Sequence, residues 1–214
     1  MSGFENIDIL EIITLVIALT IAIVGHEIAH GWVAYKFKDN TAKNLGRLSI
    51  NPIKHIDPFG TIIVPGLLYL TAGFVIGWAK PVPINGYTVI RNGGYKAMIL
   101  VSLAGIIYNF ILATISFFMI KTGIFQADLQ KFLIMLMLVN LILGLFNLYP
   151  IPPLDGSQAV EYTLRSINLH KIASLFSSLQ RYGMIILILI IASPLKDYVF
   201  YPIRYMLEMV KFAL

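Results

Sequence analysis

The sequence contains no cysteine. Disulfides and thiolate zinc ligands are therefore excluded, and any metal bound by this chain must use His, Asp, Glu or water. Charge is scarce too. Only 13% of residues are charged and 58% are hydrophobic, against roughly 25% charged in a soluble globular domain, so the chain reads as an integral membrane protein in a lipid bilayer. No hydrophilic stretch is long enough to fold separately, and residues 1–214 are expected to form a single membrane-embedded domain. Basic and aromatic residues do not cluster as a nucleic-acid surface requires, so no nucleic-acid partner is expected. Lys and Arg are also missing from the start. Met1–Glu5 is acidic, unlike an ordinary cleaved signal peptide.

What is present is concentrated in Val24–Gly31, a His-Glu-x-x-His motif. On a helix, His26 and His30 leave the same face. Two neutral imidazoles there supply half of a tetrahedral zinc shell, and Glu27 can reach a water on that ion. The motif follows Ile12–Val24, which carries no charge. Ionisable groups at membrane depth are costly and mark functional sites, which favours one bound Zn2+ over a satisfied core histidine pair.

Apolar segments fall at Ile9–Tyr35, Thr61–Gly77, Ala97–Ile120, Phe132–Tyr149 and Tyr182–Ser193. The first, third and fourth are long enough to span a bilayer; the last is short and is expected to extend back toward Ile172 or to thin the bilayer. Glu5 and Asp8 precede the first segment and Glu11 stands in its first turn, whereas Lys36, Lys38, Lys43, Arg47 and Lys54 follow it. The positive-inside rule puts the N-terminus outside a plasma-type membrane and the motif near the cytoplasmic side. Lys80, Arg91 and Lys96 also read as cytoplasmic, so Thr61–Gly77, broken by Pro65-Gly66 and Gly73, is expected to dip in and return. Gly60–Val64 and Pro81–Ile84 are strand-like pieces that suit a hairpin. The expected fold is all-α and polytopic, with about four transmembrane helices and a re-entrant β-hairpin-like segment after the first. Its core is residues 10–165, followed by a C-terminal helix and an interfacial segment over 170–214. Tyr201–Leu214 has the mix of charge, aromatics and aliphatics of an interfacial helix.

A catalytic zinc needs a third protein ligand and an open position. Asp57 lies in a polar loop and Glu161 on an amphipathic stretch. Asp155 is the best candidate, because it follows a span that breaks at Pro150-Ile151-Pro152-Pro153 and so lies at membrane depth. Its ordinary alternative is a helix N-cap. If Asp155 reaches the same ion as His26 and His30, only one span can lie between them, which again favours a re-entrant second segment. Asn109, mid-span, is either helix-packing glue or part of the site. His170, near Arg165 and Lys171, reads as a surface residue.

The pairing of the motif at Gly25–Gly31 with Asn147-x-x-Pro-x-x-Pro-Leu-Asp-Gly resembles the site-2 protease family of intramembrane zinc metallopeptidases. Gly46–Pro52, His55–Pro58 and Gly77–Pro83 resemble its small bacterial and archaeal members without accessory domains. The likeness covers most of residues 15–165. The Ser102–Asn109 segment resembles a family helix often written Gly-Pro and Asn, here Ala104-Gly105 without the proline. The resemblance implies that His26, His30 and Asp155 bind zinc, that Glu27 is the catalytic base and that Asn147 contacts substrate or the oxyanion. His55 becomes a candidate accessory ligand or regulator. The implied activity is hydrolysis of peptide bonds within or beside transmembrane segments of membrane proteins, as in regulated intramembrane proteolysis. A metal-binding transporter or channel lined by the same His/Asp cluster is the competing reading, but it leaves Glu27 without a role.

Overall fold

A computed structural model describes residues 9–64, 66–67 and 79–213. Three helices are long and apolar enough to cross a membrane: α1 (Ile9–Lys36), α3 (Gly86–Lys121) and α4 (Ala127–Asn147). At 1.5 Å rise per residue, the 28 residues of α1 reach about 42 Å, more than a hydrocarbon core of about 30 Å. Between α1 and α3 lie a short helix α2 (Thr41–Asn44), a 3₁₀ turn at Pro52–His55 and a π-helical turn at Pro58–Ile63. After α4 come α5 (Asp155–Ser166), α6 (His170–Gln180), α7 (Gly183–Ala192), α8 (Leu195–Val199) and α9 (Tyr201–Ala213).

Small residues let the three long helices approach closely, as membrane packing requires. Ala18 and Ala22 of α1 pack on Leu136 and Val139 of α4, while Ala113 and Ile120 of α3 pack on Leu133 and Met137. Gly25 faces the Tyr108 ring, where a Cβ would overlap the side chain, and Tyr108 Oη donates to Ile21 O at 3.2 Å. The pairing of residues 18–30 with 136–155 and, in reverse order, with 101–113 makes α1 and α4 parallel and α3 antiparallel to both. In α3 the amphipathic first turns bend into the span at Gly94, whose φ of 67° and ψ of −167° suit a residue without Cβ.

The connection from α1 to α3 returns to the end of the bundle it leaves. Asp39, 2% exposed, accepts from the Thr41 amide at 3.0 Å and from the Asn85 amide at 2.6 Å, tying the end of α1 to the start of α3. The Lys80 amide donates to His55 O at 2.9 Å, and Arg47 Nη2 donates to Lys80 O at 2.7 Å. These bonds place residues 47, 55 and 80 side by side.

Two sequence expectations change. Gly60–Val64 is not a strand: Asp57 accepts from the Phe59 amide at 3.1 Å with Pro58 as the first residue of the turn, and this helix-start pair overrides the β-branched run Thr61-Ile62-Ile63-Val64. Pro81–Ile84 has no regular secondary structure, and no strand is present among the described residues. The rest of the expected re-entrant segment, residues 65 and 68–78, lies outside the described residues. The last expected span is bent: α6 and α7 meet at 75°, so among the described residues three helices are long and apolar enough to cross a membrane, or four if the bent pair counts as one. α9 packs Val210 against the Ile120/Leu133 cluster, while Phe200 before it stacks near Phe146 and Tyr149.

Removing the Asp39 carboxylate leaves two helix-end amides without an acceptor. Asp39→Ala is expected to cost about 1–3 kcal/mol, read as a lower thermal midpoint in detergent with the metal site unchanged in stoichiometry.

Candidate metal centre

α1 carries His26 and His30 one turn apart, both buried, and the break after α4 delivers Asp155 to them. Asp155 Oδ2 lies 2.9 Å from His26 Nε2 and 3.2 Å from His30 Nε2, and the two Nε2 atoms are 3.0 Å apart. Proline rings at 150, 152 and 153 end α4 by removing donors, and the chain turns at Ile151–Leu154 before α5 begins at Asp155.

The opposite ring nitrogens decide what these atoms are. His30 Nδ1 is 2.6 Å from the Val101 carbonyl, which can only accept, so Nδ1 carries the proton. His26 Nδ1 is 2.6 Å from Asn109 Oδ1. The Asn109 amide is oriented in turn, because its Nδ2 donates to Asn140 Oδ1 at 2.8 Å and to Ala22 O at 3.3 Å. Asn140 is oriented by donating Nδ2 to Leu136 O at 2.8 Å. This relay leaves His26 Nδ1 as the donor, and the proton on Nδ1 frees Nε2 as a lone pair. Two imidazole lone pairs and a carboxylate thus face one point. Such a set repels itself unless a cation sits between, and ligands about 2.0–2.1 Å from a tetrahedral zinc lie about 3.3 Å apart, close to the spacing seen. The donor set fits zinc.

α3 closes the site from behind. A Cβ on Gly105 would lie 2.5 Å from His26 Nε2 and 2.5 Å from His30 Nε2. Only a glycine lets the helix backbone come this near the metal-facing nitrogens. In front, Glu27, His30, Val82, Ser102, Asp155 and Gln158 line a cavity of about 250 Å³. Glu27 Oε2 accepts from the Val82 amide at 2.7 Å, so the Pro81–Asn85 stretch holds the carboxylate by its backbone.

Of the residues expected at the site, His26, His30, Glu27, Asp155 and Asn109 come together, with Asn109 behind His26 rather than at the ion. Asn147 does not join them: its Nδ2 donates to Leu143 O at 3.0 Å within α4. His55 is buried rather than solvated, with Nε2 on Ser49 O at 2.8 Å, and is absent from the metal-capable group among the described residues. Asp57 and Glu161 are likewise engaged elsewhere, at the turn start and with Arg165. Sequence reasoning missed the roles of Asn140, Gly105 and the Val82 amide. The polar Asn140 within an apolar span was the available signal; a backbone amide leaves none.

Gly105→Ala is expected to drive a methyl into the two Nε2 atoms and to remove most zinc and activity. Metal content of the purified, folded variant checks this, and wild-type zinc would contradict the packing described.

Comparison with known proteins agrees with this site. Residues 119–191 match the model of "Peptidase family M50". Over 199 residues the chain is 40% identical to the "Putative zinc metalloprotease YwhC" of Bacillus subtilis (strain 168), covering 88% of this chain and 84% of the relative. It is 27% identical over 187 residues to the "Putative zinc metalloprotease Rip2" of Mycolicibacterium smegmatis, covering 84% of this chain and 67% of that one. No solved structure matches the chain. With an apolar three-helix core and a His-His-Asp group suited to zinc, the chain belongs to peptidase family M50, the site-2 protease family, and is a multi-pass membrane zinc metalloprotease.

Proposed function

We propose that His26, His30 and Asp155 hold one zinc per chain, that Glu27 is the general base, and that the substrate is a transmembrane segment of another membrane protein. The observation that carries this reading is the convergence of two imidazole lone pairs and a carboxylate oxygen beside Glu27 in one cavity. Bound there, zinc supplies a Lewis acid for a peptide carbonyl and makes water acidic enough to attack at neutral pH.

Glu27 takes the proton from the attacking water and passes it to the leaving amine. The Val82 N–H fixes one carboxylate oxygen, and Oε1 makes no hydrogen bond among the described residues, so it is free to take that proton. His26 and His30 keep their lone pairs aimed by the Asn109 and Val101 acceptors throughout the cycle. Asn147 spends one Nδ2 hydrogen on Leu143 O and keeps a second to offer an oxyanion.

A helical substrate hides its carbonyls in hydrogen bonds, so it must unwind locally before it is cut. The non-helical Pro81–Ile84 stretch beside the cavity supports docking of an unwound segment there. Residues 1–214 act as one unit in a plasma-type membrane. The basic residues after α1 support an active site toward the cytoplasm, with the N-terminus outside and cleaved fragments released inward.

Glu27→Gln is expected to keep zinc while lowering cleavage of a reconstituted membrane substrate by roughly 10²–10⁴-fold. Metal analysis beside a cleavage assay reads both, and undiminished cleavage would end the proposal. In the same preparation, His26→Ala and Asp155→Ala are expected to lose zinc. Retention in Asp155→Ala alone would mean a different third ligand.

A further inference from the structure

α6 and α7 are joined by a sharp elbow of 75°. α6 runs back along α5, its Ala173, Ser177 and Gln180 on the face turned toward Ser157, Glu161 and Arg165. Ala173 is fully buried. Glu161 Oε1 accepts from Arg165 Nε at 3.0 Å and from the Ser177 hydroxyl, and Arg165 Nη2 donates to Ser177 Oγ at 2.9 Å. One turn further, Gln180 Nε2 donates to Ser157 Oγ at 3.0 Å. Ser157, fully buried, donates that hydroxyl to Leu154 O at 2.7 Å. Leu154 precedes Asp155, so the bond ends on the peptide unit that carries the ligand.

The chain then bends at Arg181–Tyr182, and Gly183 lands on the proline turn. A Cβ at Gly183 would lie 2.8 Å from Pro153 N and 2.9 Å from Pro152 C, both backbone atoms that cannot swing aside. Further on, Tyr149 Oη donates to Val199 O at 2.6 Å, and Phe200 packs on Phe146 and Tyr149. The turn from 149 to 157 is therefore held at three points by residues between 180 and 200. Among the described residues, nothing in α1 or α3 hydrogen-bonds this turn apart from the imidazoles themselves. Two proline rings and a short loop do not by themselves fix where a carboxylate points.

We infer that the α6–α7 elbow, through Gln180 and Gly183, is the positioning element for Asp155, and so sets the affinity of the site for zinc from outside it. This rests on the reading of Asp155 as a metal ligand. Neither Gln180 nor Gly183 touches the ion or the cavity. Each acts through the Pro152–Ser157 backbone, as outer partners of metal ligands do.

The test is the zinc dissociation constant of the full chain in detergent, by competition with a chromophoric chelator, for wild type, Gln180→Ala, Gln180→Glu and Gly183→Ala. The outer-partner effect is expected to weaken zinc about 10- to 100-fold in Gly183→Ala. It should be smaller but measurable in Gln180→Ala, and as large in Gln180→Glu, which offers no donor to Ser157. Ser174→Ala, on the same helix but bonded only to Lys171 O, is expected to bind zinc as wild type does. A purely structural loosening would leave the bound geometry intact in whatever protein stays folded, so the elbow variants are also loaded with Co2+ and their visible spectra read. A displaced Asp155 carboxylate is expected to change the cobalt bands as well as the affinity. Should Gly183→Ala fail to fold, the two Gln180 variants carry the test alone. Wild-type affinity in folded Gln180 variants, or a loss of affinity with an unchanged cobalt spectrum, would overturn the inference. Full zinc affinity in Asp155→Ala itself would instead overturn the ligand reading on which it rests.

Discussion

Two hydrogen bonds on the far side of the imidazoles govern the centre of this molecule. Val101 O and Asn109 Oδ1 each take an Nδ1 proton at 2.6 Å, and by doing so they turn both Nε2 lone pairs toward Asp155. In an apolar bundle an unpaired polar group costs free energy on the scale of a whole helix contact, so such groups must be satisfied in series. The series here runs from Leu136 O through Asn140 and Asn109 to His26. It joins α4, α3 and α1 with the only fully buried amide side chains, Asn109 and Asn140, among the described residues. The same chain of bonds that holds three helices together therefore prepares the site to receive a cation.

That arrangement demands close approach, and the packing supplies it with absent side chains. Gly105 brings the α3 backbone against the metal-facing nitrogens, Gly25 admits the Tyr108 ring, and Ala18 and Ala22 seat α1 on α4. The base is held differently. Glu27 leans on a backbone amide from the Pro81–Asn85 stretch, which is itself pinned through Lys80 by Arg47 and His55 and through Asn85 by Asp39. Ligands are thus fixed by the bundle and the base by the connection that closes its end. A protease needs both, since a ligand set alone would bind metal without moving a proton.

Much of the site was legible in the sequence because its chemistry is local. His26 and His30 share a face by helical spacing alone, Glu27 is adjacent, and Asp155 stands where prolines must end a span. The membrane character followed from composition. Less legible were elements whose outcome depends on competition. The β-branched Thr61–Val64 run favours a strand, yet Asp57 and Pro58 start a helical turn first, and capping won over propensity. Tyr182–Ser193 is expected to extend back toward Ile172 or to thin the bilayer; helix does continue back over 170–180, but the two pieces meet at 75°, with Gly183 seated on the proline turn. Asn147 and His55 were named from a motif, and each side chain is engaged with a nearby backbone carbonyl, at Leu143 and Ser49.

The sequence by itself determined the ligand types, the three long apolar helices and the side of the bundle on which the histidines and Asp155 emerge. Helical period, the absence of cysteine and the cost of charge in lipid leave few alternatives. Only the tertiary structure decided which nitrogen of each imidazole faces the ion, which glycine must stand behind it and which amide holds the base. Those choices depend on contacts between residues 46 to 125 positions apart, from Asp39 and Asn85 to His30 and Asp155. No local pattern encodes such a contact, because either partner alone is an ordinary polar group waiting for an acceptor or a donor.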